Sequence, residues 1–305
     1  MSPSFPASIF LRAPATPSSL FPLSQGLSSW TTFPSIPNSL PLANSTLRPV
    51  KVASGLPIIY TNAPDGTPSL KIHFPKGSYK PSAEPRGGIS FYSHGPAWFD
   101  FTRAKEATFG YSVWFPEDFD WVRGGKLPGL LGGNSKDIAY GCSGGRKDVD
   151  CWSARLMWRA KGAGEIYSYL PPYDVPGFEA NQALCTIPRN ICDATYGISI
   201  GRANFTFTPG AWTTVAQRIR LNNVGQANGE MDLFVNGGWV LGARDVILRP
   251  DGAGKIQGVY FQSFFGGSTA DWATPRDQDI YISDLSVAVI EELNEDELEI
   301  EAGSG

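Results

Sequence analysis

Five side chains near the middle of this 305-residue sequence could act together on one substrate: Lys126, Ser153, Arg155, Tyr167 and Tyr169. The run Trp152-Ser153-Ala154-Arg155-Leu156-Met157-Trp158-Arg159 alternates with period 2. As a strand it places Ser153, Arg155, Met157 and Arg159 on one face and Trp152, Ala154, Leu156 and Trp158 on the other. Beyond a Gly-containing turn, Tyr167 and Tyr169 share one face, with Ile166, Ser168 and Leu170 opposite. If the turn centres near Gly162, Arg155 faces Tyr169 and Met157 faces Tyr167. A slip of two residues along the partner keeps the faces, whereas a slip of one would not. Just upstream, Gly124-Gly125-Lys126-Leu127-Pro128-Gly129 holds a lysine in a loop constrained by Gly and Pro. One concave face would then carry a hydroxyl, a guanidinium and two phenols, with an ammonium beside them.

Such a set suits β-elimination from a uronic-acid polymer. The C5 proton of a uronate is weakly acidic, and neutralising the adjacent carboxylate stabilises the enolate-like intermediate. A tyrosine whose pKa is lowered by Arg and Lys can take that proton, and a tyrosine can protonate the leaving glycosidic oxygen. In mannuronate and glucuronate the C5 hydrogen and O4 lie on the same side of the ring, so one phenol or two adjacent ones can serve both roles. The competing reading makes the tyrosines amphipathic residues of a sandwich face and Arg155 a structural ion-pair partner.

The elements that must position these residues are short strands. From residue 50 onward, apolar-alternating runs are separated by Gly, Pro, Asn and Asp. The predicted strands are Pro57–Tyr60, Leu70–Phe74, Gly88–Ser93, Ala107–Phe115, Cys151–Arg159, Glu165–Leu170, Tyr196–Ile200, Trp212–Leu221, Gly229–Val235, Lys255–Phe264 and Asp279–Val289. Asn236-Gly237 is a hairpin signal. Many strands with no intervening helices predict an all-β sandwich of two antiparallel sheets. Residues 1–49 hold nine prolines, eleven serines and two charges, and read as a flexible or wrapping arm without a core of its own. Residues 50–290 form the folded domain and 291–305 an acidic tail.

The formal net charge of −4 argues against a nucleic-acid partner and, at face value, against a polyanion. The charge is unevenly placed. Glu291 to Glu301 holds seven acids, and the remainder carries 25 bases against 22 acids. Trp121 to Leu170 holds eight bases and four acids, a local cationic region. No apolar run approaches the roughly 20 residues of a membrane helix. Cys142, Cys151, Cys185 and Cys192 lack metal-ligand spacing. They read as two local disulfides, Cys142–Cys151 and Cys185–Cys192, suited to secretion, or as four buried thiols. Ile9-Phe10-Leu11 is too short for a signal-peptide core. Only His73 and His94 are present, so neither a metal site nor another cofactor is expected. His94, in the turn Tyr92-Ser93-His94-Gly95-Pro96, could line the cleft as a second base or carboxylate binder, or serve structurally.

The segments YSVWFPEDFDWVRGGKLPGLLGGN (111–134), GCSGG (141–145) and CWSARLMWRAKGAGEIYSYLP (151–171) resemble polysaccharide lyase family 14. KGSYKPS (76–82) and FFGGS (264–268) extend the likeness over most of residues 50–290. The resemblance implies a β-jelly roll and alginate or glucuronan lyase activity, with the family 20 glucuronan lyases as a close neighbour. It also implies that Lys126, Ser153, Arg155, Tyr167 and Tyr169 line the catalytic cleft, where Lys126 and Arg155 neutralise the carboxylate, the tyrosines act as base and acid, and Ser153 binds substrate. The expected protein is a secreted monomer that cuts an acidic polysaccharide without metal. The rivals are a non-catalytic carbohydrate-binding jelly roll and a retaining glycosidase. The latter needs two carboxylates about 5–5.5 Å apart, for which Glu165 and Glu230 are the nearest candidates.

Overall fold

The computed structural model describes residues 15–299. The expectation for Ile9-Phe10-Leu11 and the end of the acidic tail, residues 300–305, lie outside the described residues. In chain order the strands are β1 Ser28–Thr31, β2 Ile59–Asn62, β3 Pro68–Phe74, β4 Ile89–Ser93, β5 Ala104–Trp114, β6 Gly124–Gly133 and β7 Cys151–Arg159. They continue as β8 Ala163–Tyr169, β9 Ile198–Thr206, β10 Trp212–Arg220, β11 Gly229–Val235, β12 Gly238–Val246, β13 Lys255–Ser263 and β14 Gln278–Glu292. One sheet runs β12-β11-β10-β5-β14-β3-β2 with β1 added to β14, and the other runs β4-β13-β6-β7-β8-β9. This is the expected jelly-roll sandwich.

The period of 2 in β7 divides the second sheet between core and site. Trp152, Ala154, Leu156 and Trp158 are buried against Phe109, Val113, Val215 and Ile219 of the facing sheet, while the alternate residues look away from it. Each large aliphatic or aromatic side chain removed from water contributes about 1.5–3 kcal/mol, so a one-residue slip of β7 would cost several such burials. The Ser/Pro-rich segment lies against this sandwich from residue 15 onward. Ser28–Thr31 pairs with Ser286–Val289 of β14, and Leu20, Phe21, Phe33 and Ile36 share an apolar cluster with Ala288.

Two structural findings bear on the site. First, Lys126 lies on a strand and not in a loop. The ten residues of β6 are buried at the centre of the sheet. Glycine disguises this strand for a steric reason, because a Cβ at Gly125 would lie 2.1 Å from the Trp158 ring and one at Gly132 would lie 2.4 Å from Trp152. The strand gives up side chains so that two indoles fit over it. A bulge between Leu127 and Gly129 accommodates Pro128. Gln217 of the opposite sheet accepts the Leu130 N–H at 2.9 Å and donates to the Ala154 carbonyl at 2.7 Å, satisfying backbone groups beside the bulge.

Second, the β7–β8 hairpin turns one residue earlier than Gly162. Arg155 pairs with Tyr167, Ser153 with Tyr169 and Met157 with Glu165. Lys161 (φ 61°) and Gly162 (φ 77°) both take the left-handed conformation and close the turn there. The shift along the partner is two residues, so every side chain keeps its face.

Candidate functional site

The face of β7 and β8 turned away from the core forms the floor of an open groove of about 610 Å³, well within the range of ligand sites. Lys126 of β6, Arg155 and Met157 of β7, Tyr167 and Tyr169 of β8 and Gln262 of β13 all line it. Four of the five residues singled out by type and spacing therefore converge.

The two cations are buried without counter-ions. Lys126 is 7% exposed and Arg155 2%, and neither has a carboxylate within ion-pair distance among the described residues. Lys126 Nζ instead lies 3.2 Å from the Tyr167 ring centroid and 2.9 Å from Met157 Sδ. Arg155 donates through Nη1 to Gln262 Oε1, whose amide is anchored by donating to Ser90 at 3.2 Å. Its guanidinium lies 4.7 Å from the Tyr260 ring, and its Nε has no hydrogen-bond partner among the described residues. Two other buried cations, Lys105 and Arg249, differ in that each has the Glu297 carboxylate within ion-pair distance. An uncompensated buried charge is costly, so its persistence in a groove marks a place for an external anion. Burial pushes the Lys126 pKa well below its ordinary value, and Arg155 and Arg159 push the same way. An incoming carboxylate reverses that balance and favours the ammonium.

The phenols are held by backbone. Tyr167 Oη accepts the Gly197 N–H at 3.2 Å, and Tyr169 Oη accepts the Gly145 N–H at 3.1 Å. Each oxygen accepts from a backbone donor, which leaves its own hydroxyl proton free to move. Contrary to the sequence expectation, the Tyr167 pKa is raised. Burial dominates and the neighbouring Tyr169 adds to it, while the Gly197 N–H, Arg159 and Arg155 pull the other way without prevailing.

Two disulfides, Cys142–Cys151 and Cys185–Cys192, are present. Gly145 lies inside the first loop and Gly197 follows the second. Lys147 bridges them by donating to the Asp193 and Ala194 carbonyls at 3.0 and 2.9 Å. The cross-links thus fix the two backbone donors that orient the phenols.

The structure does not bring Ser153 and His94 to the groove wall. Ser153 is fully buried and donates to the Cys142 carbonyl at 2.7 Å, tying the first disulfide loop to β7. His94 Nδ1 donates to the Gln257 carbonyl at 2.9 Å, leaving Nε2 to accept the Tyr140 hydroxyl at 2.7 Å. Burial lowers its pKa, against the opposing pull of the Gln257 carbonyl. The alternative carboxylate pair is also absent: Glu165 lies on β8 beneath Arg159 and Arg202, and Glu230 lies on β11 of the other sheet.

The polysaccharide lyase 14 family model matches residues 62–285. The chain belongs to polysaccharide lyase family 14. Among solved structures similar to this family-14 chain is a marine PL-14 alginate lyase from Aplysia kurodai, at 31% identity and a TM-score of 0.67. That match covers 76% of this chain and 87% of the other. An alginate lyase from Chlorella virus shares the fold at 22% identity and a TM-score of 0.64, over 80% of this chain and 93% of the other. Exolysin of Paramecium bursaria Chlorella virus 1 is 25% identical over 168 residues, covering 52% of this chain and 25% of that relative. The chain thus spans about a quarter of the curated relative's length.

Several groove residues were not singled out from sequence. Met157 and Arg159 could have been, because they alternate with Arg155. Gln262 lies on a predicted strand, but nothing in its sequence context ties it to Arg155. The Gly145 and Gly197 donors are backbone groups and carry no side-chain signal.

Proposed function

We propose that this family-14 chain cleaves a β-1,4-linked polyuronate by metal-independent syn β-elimination. The observation that carries this reading is the pair of buried, carboxylate-free cations beside two backbone-oriented phenols. The uronate carboxylate docks against Arg155 and Lys126 where they line the groove, which neutralises it and makes C5–H more acidic. The tyrosine pair takes the C5 proton and returns a proton to O4. The C4–O4 bond breaks, a C4–C5 double bond forms, and the products are a 4,5-unsaturated uronate end and a free hydroxyl. The Gly145 and Gly197 N–H groups stabilise phenolate character as the proton moves. The two disulfides support a secreted protein.

In chelator-containing buffer, ultraviolet absorbance should rise on polymannuronate or polyglucuronate. It should rise much more slowly on polyguluronate, the C5 epimer of polymannuronate, in which hydrogen and O4 are anti. No absorbance on any of the three would sink the proposal. Retained binding without turnover would instead favour a carbohydrate-binding protein.

A further inference from the structure

We propose that Arg159 and Arg202, clamped by Glu165, form a second carboxylate subsite that holds the uronate unit next to the one being cleaved. The inference rests on the polyuronate reading of the groove. Both arginines line the groove, as does Ser199 between them. Glu165 is fully buried beneath them. Its Oε1 accepts Arg159 Nε at 2.8 Å and the Ser199 hydroxyl at 2.9 Å, while its Oε2 accepts Arg202 Nε at 2.7 Å. Ser199 Oγ in turn accepts one Nη2 from each arginine, so the hydroxyl is saturated as donor and acceptor.

This bonding fixes both guanidinium planes and leaves the Nη1 group of each without a protein partner among the described residues. Two positive charges share one carboxylate, so the cluster keeps a surplus of one. The cluster on the other sheet differs. There Arg218, Arg220 and Arg244 meet four acids, Glu106, Glu230, Asp232 and Glu291. Preorganised forks with free N–H groups and excess charge match a carboxylate. Position decides which carboxylate. The Arg159 guanidinium lies 5.5 Å from the Tyr167 ring and 5.9 Å from the Trp272 ring, and Arg159 follows Arg155 by four residues on the same face of β7, so it is displaced along the strand from the arginine that meets the reacting carboxylate. Arg155 and Lys126 are left for the sugar undergoing elimination.

The test is calorimetric titration of a mannuronate tetramer into Tyr169→Phe protein, with and without Arg202→Gln. The added change should weaken Kd about tenfold, the scale of a lost charge-assisted hydrogen bond. Arg202→Lys, which keeps charge but loses the fork, should fall between. Affinity for an uncharged mannose tetramer should not change. Unchanged mannuronate affinity in a folded Arg202→Gln protein overturns the subsite, as does an equal loss for the neutral tetramer. The two readings fail separately: an inactive wild type that still loses mannuronate affinity on Arg202→Gln refutes the elimination and leaves the subsite standing.

Discussion

Replacing Tyr169 by phenylalanine is expected to lower kcat on a cleaved polyuronate about a thousandfold, the scale of a lost general acid–base group, while KM stays within about threefold. Only the hydroxyl is removed. The ring, buried at 3% exposure, keeps its packing beside Tyr167, with centroids 5.9 Å apart. The lost oxygen leaves the Gly145 N–H without its acceptor, a cost of about 1–3 kcal/mol to be seen in thermal unfolding. Steady-state kinetics with matched melting curves separates the two effects. A variant that turns over normally would show that the phenol plays no part in proton transfer. Loss of binding together with turnover would mean that it holds substrate instead.

Lys126→Met should uncouple activity from stability. Turnover is expected to fall at least about a hundredfold, because the ammonium that neutralises the carboxylate is gone. Thermal stability should rise, by about 1–2 kcal/mol at neutral pH, because a desolvated amine with no counter-ion is exchanged for an apolar chain of similar length against Met157. The gain has a pH signature. The folded-state pKa of Lys126 is depressed, so between that value and the ordinary lysine value the unfolded chain binds more protons. Wild-type stability therefore rises with pH across that window. The variant lacks this contribution, so its advantage should be largest on the acid side and vanish above about pH 10.5. Melting curves across pH check this, and a variant less stable than wild type throughout would show that the amine is structurally compensated.

How far the sequence could be read depended on whether side chains carried the signal. Strand β7 was legible to the residue, because an alternation of indoles and aliphatics with Ser, Arg and Met has one way to face a core. The convergence of Arg155, Tyr167 and Tyr169 followed from that alternation, and the two-residue register error cost nothing because faces repeat every second residue. Strand β6 was not legible as a strand. Its glycines make room for Trp152 and Trp158 of the neighbouring strand, a requirement invisible in local propensity. β12 was implied only by the Asn236-Gly237 turn that precedes it, and β1 is four residues that depend on β14 for pairing. The burial of Lys126 and Tyr167 is a tertiary property, and so their pKa directions could not be read from charge neighbours alone. Ser153 alternates with Arg155 on β7, yet its hydroxyl donates to the Cys142 carbonyl, a partner that no local pattern announces.

The most direct test of elimination is the mass balance of the products. A mannuronate oligomer of defined length is incubated with wild-type protein and its fragments are weighed by mass spectrometry. Elimination is expected, so the two fragment masses should sum to the parent, with the unsaturated unit at the new non-reducing end. Fragments that together exceed the parent by one water would contradict it and establish hydrolysis.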